Sequence, residues 1–339
     1  MKHEAFIIDG IRTPIGNFAG TLSEVRADDL ATIVLKELLK RNPKIDPSLI
    51  EDVILGCANQ AGEDNRNVSR MALLMAGYPV NVPGQTVNRL CASGLNACLE
   101  ASRGLMVGDG MLYVAGGVEH MTRGPWVIGK TSSAFGRDAQ MYDSSFGWRF
   151  INPKLKEMYG VDSMGDTAEN VAEMYKINRE DQDKFALASQ QKAGKAQASG
   201  RLAEEIIAVP IPQKKGDPKL FDKDEFIKPN SNLETLAKLK PAFKKDGTVT
   251  AGNAAGLNDG AAALLLASGD GIKQFGLKPL ARVVSMGVAG VEPRIMGIGP
   301  IEAAKKALQR ANLAMKDMDI IELNEAFAAQ SLACIRTWG

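Results

Sequence analysis

The sequence is poor in the residues that most metal and disulfide sites need. It has four cysteines, Cys57, Cys91, Cys98 and Cys334, and two histidines, His3 and His120, in 339 residues. No cysteine pair has CxxC spacing and neither histidine stands in a ligand motif, so no zinc site is expected. The opening, MKHEAFIIDG, lacks the charged, apolar and small-residue order of a signal peptide. Free thiols in such a chain fit a reducing cytoplasm. An excess of one charge is also lacking: 41 basic and 40 acidic residues leave a net charge of +1. Without a basic excess or stripe, nucleic-acid binding is not expected. No apolar run reaches the roughly 18 residues needed to span a bilayer. What is present is ordinary globular material, 45% apolar and 24% charged, enough for a full core. The length suggests two domains, or one large domain with an insertion.

The chain opens in a rhythm of strand and helix. EAFIIDG reads as a short strand. Residues 29–41 place Leu30, Ile33, Val34 and Leu38 on one helical face, behind a cap at Asp28 or Asp29. DVILGCA, GQTVNRL and MLYVAGG read as strands; NVSRMALLMAG and SGLNACLEASRGLMVG read as helices. This order predicts a mostly parallel sheet with helices on both faces. From about Thr122 to Asp246 the rhythm gives way to irregular sequence, a helical pair and a Lys- and Pro-rich loop, PQKKGDPKLFDKDEF. Such a stretch reads as an insertion over the sheet that forms a binding surface. The pattern then returns with GAAALLLAS, the strand-like ARVVSMGVAG, a helix opened by Pro300 with Ile301, Ala304, Leu308 and Ala311 on one face, and a strand, DIIEL, running into a helix. The two ends share this order as a weak internal repeat. The first copy continues into further strands, whereas the second stops at Gly339, so the second half reads as incomplete.

Three segments carry candidate chemistry. In VNRLCASGLNA a strand gives way to a turn at Cys91, and Ser93–Gly94 open a helix. The first helical turn offers free N–H groups and the positive end of the dipole. A thiolate there is stabilised and becomes a nucleophile fit to attack a thioester. A buried structural cysteine would suit the same turn. Cys57, Cys98 and Cys334 read as structural. In IELNEAFAAQ, Asn324 could donate to an enolate oxygen or simply cap a helix. The small residues of VTAGNAAGLNDGAAA would allow a ligand close to the backbone, or form a tight turn. His120, in GGVEHM, could be a base, but a lone histidine at a strand end is more often a hydrogen-bonded structural residue.

Taken together, IRTPIG, VNRLCASG, GGVEHM, MGDTAENVA, PAF with DGTVTAGNAAGLNDGAAA, and ELNEAFAAQ resemble the thiolase family in order and spacing, almost from end to end of the chain. The resemblance implies an α/β fold of two similar halves in alternating helix and sheet layers, with a loop domain inserted in the first. The implied boundaries are 1–121 for the N-terminal half, 122–246 for the loop domain, 247–272 for the return strand and 273–339 for an incomplete C-terminal half. It implies an acyltransferase that makes or cuts 3-oxoacyl-CoA, with coenzyme A thioesters as substrates, no permanently bound cofactor, and a homodimer or homotetramer. Cys91 matches the acylated nucleophile. Asn324 matches the residue that holds a water in the enolate-side oxyanion hole. Lys228 falls near the nucleotide phosphates, and Met164, Phe243, Ala251 and Phe327 line the pantetheine and acyl pocket. Ser163 stands where some members carry a histidine.

The chain departs from the family pattern in places. AGNAAG replaces AGNASG, so Ala255 stands where a serine would bond the pantetheine, a loss of about 0.5–1.5 kcal/mol. His120 stands where many members have serine. The family's closing histidine and second cysteine motifs do not occur, which implies an inactive chain or a fragment of an active enzyme. EDVILGCANQAGEDNRN and GWRFINP resemble members acting on 3-oxoadipyl-CoA in aromatic catabolism, with Arg149 as a partner for the extra carboxylate or merely a solvated charge. The alternatives are an acetoacetyl-CoA thiolase of fatty-acid metabolism, a decarboxylating condensing enzyme, and a pseudoenzyme keeping the fold. The condensing enzyme would need two histidines in the second half, where none occurs.

Overall fold

The computed structural model describes residues 4–339, so His3 lies outside the described residues. In chain order the strands are β1 (Ala5–Arg12), β2 (Gly16–Asn17), β3 (Ile50–Gly56), β4 (Gly84–Val87), β5 (Leu112–His120), β6 (Trp126–Ile128), β7 (Met141–Asp143), β8 (Val209–Ile211), β9 (Lys219–Phe221), β10 (Asn258–Ser268) and β11 (Ala281–Val283). The helices are α1 (Ala27–Arg41), α2 (Val68–Met75), α3 (Ser93–Val107), α4 (Pro153–Tyr159), α5 (Met164–Met174), α6 (Arg179–Ala198), α7 (Leu233–Ala237), α8 (Gly269–Phe275), α9 (Gly299–Ala311) and α10 (Ala328–Trp338). They fall into two compact units. The first takes the chain up to Phe146 with Gly200–Phe226 and Leu257–Val284; the second takes Gly147–Ser199, Ile227–Gly256 and Ser285–Gly339.

The main sheet of the first unit runs β11-β1-β10-β5-β3-β4, with β2 beside β10. Only β3 pairs parallel, with β4 and β5. β10 is antiparallel to β1, β2 and β5, and β11 is antiparallel to β1. The mostly parallel sheet expected from the sequence is therefore corrected to a mixed one. Local strand–helix rhythm reports crossovers between neighbours. It is silent about β10, which returns after a long excursion and inserts between two strands made earlier. Helices do cover both faces, and the alternation of side chains along a strand sorts the core. Val53 and Leu55 face a cluster with Leu30, Val34, Leu35 and Leu38 of α1. Ile54 between them faces Ala97, Ala101 and Leu105 of α3.

Helix α1 starts earlier than the sequence suggested. Its N-cap is Arg26, without a side-chain cap, so the expected cap at Asp28 or Asp29 is corrected. Both acids sit in the first turn, where the helix dipole favours them, and Asp28 takes two hydrogen bonds from Arg26 at 2.9 Å. By contrast α2 ends as read, at the left-handed Gly77 (φ 89°).

The second unit is helical. α5 buries Ala168, Val171 and Ala172, and Ala172 packs with Ile177 and Ala329. The run DIIEL forms no strand, and Ile320 is 81% exposed. A strand exists by pairing, and every described strand belongs to the first unit. Likewise ARVVSMGVAG yields only β11, three residues long, which joins the first unit's sheet. α9 carries proline in its first turn as read, but buries none of its residues. Among the described residues no helix is long and apolar enough to cross a membrane.

Candidate functional site

Cys91 is exposed, two residues before the first residue of α3. The turn that presents it is tightly tied. Ala92 and Ser93 donate their backbone N–H groups to the carbonyls of Arg89 and Leu90, at 3.1 and 2.9 Å. The Ser93 hydroxyl donates to Leu90 O at 2.6 Å and accepts from Arg89 N–H at 2.8 Å. Arg89 Nε then bonds Asn96 Oδ1 one turn into the helix at 2.8 Å. Leu90 is forced to φ 48°, a left-handed conformation that costs a leucine of order 1–3 kcal/mol and clusters at functional sites. The N-cap position, Ala92, supplies no side-chain cap. A negative charge developing on a bound thioester oxygen would be favoured there by the helix dipole.

Gly56, the last residue of β3, seats this helix. A Cβ on it would lie 2.2 Å from the Ser93 carbonyl carbon. The first turn of α3 therefore rests directly on the strand end, which only glycine permits.

The other cysteines stand apart from this chemistry. Burial, with help from Glu119 and Asp64, pushes the Cys57 thiol up, and its Sγ donates to Asp64 Oδ2 at 3.4 Å. Cys57, Asp64 and Glu119 form a compact group with metal-ligand chemistry. Their carboxylates are already met by backbone N–H groups of Ala58, Asn59, Gln60 and Gly62. Burial pushes Cys98 up to about 11 and raises Cys334 as well. His120 is 2% exposed. Its Nε2 lies 3.1 Å from Leu22 O and its Nδ1 3.3 Å from Asp259 Oδ1, so it is a hydrogen-bonded internal residue. A polar hollow of about 500 Å³, lined among others by Asp52, Gln85, Glu100 and Arg103, includes none of the residues singled out from the sequence.

Most of the remaining candidates lie in the second unit and cluster around one turn. Phe243 and Phe327 stack edge to face, ring centres 6.3 Å apart. Phe243 also lies against Gly165, beside Met164; a Cβ on Gly165 would fall 2.0 Å from the ring. Ala255 N–H donates to Ala326 O and Ala328 N–H to Asn253 O, each at 2.9 Å, so the AGNAAG turn runs alongside the NEAF segment. Met164, Phe243, Ala251 and Ala255 are exposed and Phe327 is half-buried. Together they offer an apolar, small-residue surface suited to a slender chain. Asn324 is exposed, and the adjacent Glu325 is tethered to Ser189 Oγ at 2.5 Å. The Ser163 hydroxyl is spent on a capping box with Asp166, donating to Oδ2 at 2.7 Å. Lys228 lies in an exposed turn whose N–H is held by Gln190 Oε1 at 2.7 Å. Arg149 is half-buried and engaged by its surroundings.

The sequence reading missed the supports of these groups: Leu90, Gly56, and the buried polar residues Glu169, Asp183 and Asn253. A signal for Glu169 existed. It sits among the buried Thr167, Ala168, Val171 and Ala172, a charge on an apolar helix face, and a buried charge demands partners.

Comparison with known proteins follows the same lines. The family model "Thiolase, N-terminal domain" matches residues 5–270, and "Thiolase, C-terminal domain" matches residues 277–339. The expectation that the C-terminal part is missing therefore has no support, since both halves have their match in this chain. The 3-oxoadipyl-CoA/3-oxo-5,6-dehydrosuberyl-CoA thiolase of Escherichia coli (strain K12) is 59% identical over 336 residues, 99% of this chain and 84% of that protein. The beta-ketoadipyl-CoA thiolase of Pseudomonas knackmussii is 58% identical over 100% of this chain and 84% of its own. The crystal structure of the Bacillus anthracis acetyl-CoA acetyltransferase matches with a TM-score of 0.91 at 40% identity, covering 99% of this chain and 84% of that one.

Proposed function

Since the chain belongs to the thiolase family of acyltransferases, we propose that it makes or cleaves 3-oxoacyl-CoA through an acyl group on Cys91, and that its substrate is 3-oxoadipyl-CoA. The observation that carries this is Cys91 itself, exposed at the uncapped mouth of α3. In thiolysis the Cys91 thiolate attacks the C3 carbonyl. The C2–C3 bond breaks, its electron pair stays on C2 as the enolate of acetyl-CoA, and C2 takes the proton that the incoming coenzyme A thiol gives up. The succinyl group, held on sulfur, passes to the thiolate of a second coenzyme A. Succinyl-CoA and acetyl-CoA leave and Cys91 is regenerated. In the other direction Cys91 takes the succinyl group from succinyl-CoA, releasing coenzyme A, and the enolate of acetyl-CoA attacks it.

Asn324 is assigned the water that donates to the enolate oxygen. Met164, Phe243, Ala251, Ala255 and Phe327 are assigned the pantetheine and acyl chain, and Ser163 a place beside it. Lys228 is assigned the nucleotide phosphates and Arg149 the distal carboxylate. The substrate choice is supported by relatives named for 3-oxoadipyl-CoA and beta-ketoadipyl-CoA. The reading includes a cytoplasmic setting, coenzyme A thioesters as the small-molecule partners, and assembly as a homodimer or homotetramer. Among the described residues β4 ends the sheet with one edge unpaired, and α3 exposes Leu95 and Val107, which supports self-assembly. The family division at 1–121, 122–246, 247–272 and 273–339 is kept as part of the proposal.

The test is acyl trapping. Incubation with succinyl-CoA radiolabelled in the succinyl group should leave label on the peptide containing residue 91, and Cys91→Ser should abolish it; label elsewhere, or none, rejects the role of Cys91. A clear preference for acetoacetyl-CoA over 3-oxoadipyl-CoA would reject the substrate while leaving the chemistry standing.

A further inference from the structure

The turn assigned to pantetheine, residues 247–255, is held by a buried polar scaffold rather than by apolar packing alone. Glu169 of α5 is 4% exposed. Its Oε1 accepts from Thr248 N–H at 2.9 Å and Val249 N–H at 2.8 Å, and its Oε2 from the Thr248 hydroxyl at 3.1 Å. Gly247 carries no Cβ; one would fall 2.2 Å from Glu169 Oε1. The Thr248 hydroxyl also accepts from Gln182 Nε2 of α6 at 2.9 Å. Downstream, Asn253 donates to Asp183 Oδ1 at 2.9 Å and accepts from Thr250 N–H at 2.8 Å. Asn253 O then receives Ala328 N–H, and Ala255 N–H reaches Ala326 O. One carboxylate on α5 thus sets the start of a backbone whose end is bonded to the NEAF segment.

We infer that Glu169 is a positioning residue: its carboxylate fixes the backbone of residues 247–255 in the shape that receives the pantetheine arm of coenzyme A, without touching the ligand. This inference rests on the proposed coenzyme A reading of the turn. A buried carboxylate bonded to successive N–H groups gives a stiff, charge-assisted anchor. Apart from Thr248, Val249, Thr250 and Asn253 the turn is Gly and Ala, which bring few side-chain contacts to replace the anchor. Losing the anchor should broaden the turn's conformations, and the ligand must then spend binding free energy on ordering it.

The experiment compares two probes by calorimetry, coenzyme A and 3′,5′-ADP, which is coenzyme A without its 4′-phosphopantetheine arm. Glu169→Ala, shown by circular dichroism to be folded, should weaken coenzyme A about tenfold and leave 3′,5′-ADP within about twofold. Glu169→Gln keeps one acceptor oxygen and should lose about threefold. Unchanged coenzyme A affinity in the folded variants overturns the inference, and so does a parallel loss for both probes, which would mark a general structural role. Should Glu169→Ala fail to fold, Thr248→Val replaces it. It removes the hydroxyl links to Glu169 and to Gln182, so weaker coenzyme A binding with unaltered 3′,5′-ADP binding supports the anchor, and equal affinities overturn it. Failure of the unmodified chain to bind coenzyme A removes the functional reading itself, and this inference with it.

Discussion

Among the thiols, exposure and burial sort reactivity by large margins. The thiolate is the reactive species, and burial raises the pKa of Cys57, Cys98 and Cys334 while Cys91 lies open to solvent. Brief alkylation with iodoacetamide near pH 8 should therefore add one carbamidomethyl group, located at Cys91 by peptide mass spectrometry. A first adduct on Cys98 would contradict the burial argument. That cysteine and its turn were legible from residue types alone, because VNRLCASG places a thiol where a strand hands over to a helix. The left-handed Leu90 was not legible. A leucine carries no sequence mark of positive φ, and only the hydrogen bonds of Ser93 and Asn88 around it impose that conformation. His120 was left open between base and structural residue, and its bonds to Leu22 O and Asp259 make it an internal link.

Helix α3 shows how an element carries a site. Its apolar face is set by Ala97, Ala101 and Leu105, a spacing visible in the sequence. Its height over the strand is set by Gly56, whose role appears only when the two backbones meet. Gly56→Ala would drive a methyl group into the Ser93 carbonyl, and the helix start must shift. The expected cost is about 1–3 kcal/mol in denaturant unfolding, with acylation of Cys91 slowed more than stability alone would explain. A variant of unaltered stability and unaltered acylation would show that the seat is not needed. Elements that failed as read failed for lack of neighbours. DIIEL has the apolar run of a strand, yet it has no partner strand in its unit. Strand formation depends on pairing, which a local window does not contain.

For the molecule as a whole, the decisive element is β10, bonded to β1 on one side and β5 on the other. It also carries Asp259, which joins the His120 link and accepts two hydrogen bonds from Thr122. Burial works to raise the Asp259 pKa, but the His120 and Thr122 contacts outweigh it, and the net shift is downward. A depressed folded-state pKa contributes stability that is fully present above the ordinary carboxylate value of about 4 and is lost as pH falls through the folded value. Acid unfolding should therefore steepen below about pH 4. Asp259→Asn should be less stable at neutral pH and show a shallower slope in that window, as followed by circular dichroism. A slope equal to that of the unmodified chain would remove Asp259 from the acid response. The sequence by itself determined the family, the cysteine at the turn before α3, the buried face of α1 and the small-residue turn, because each is written in residue type and local spacing. Tertiary structure alone decided the mixed direction of the sheet, the seat of α3 on Gly56 and the anchoring of residues 247–255 by Glu169. Each of those joins backbone groups distant along the chain, and no local pattern of side chains encodes such a meeting.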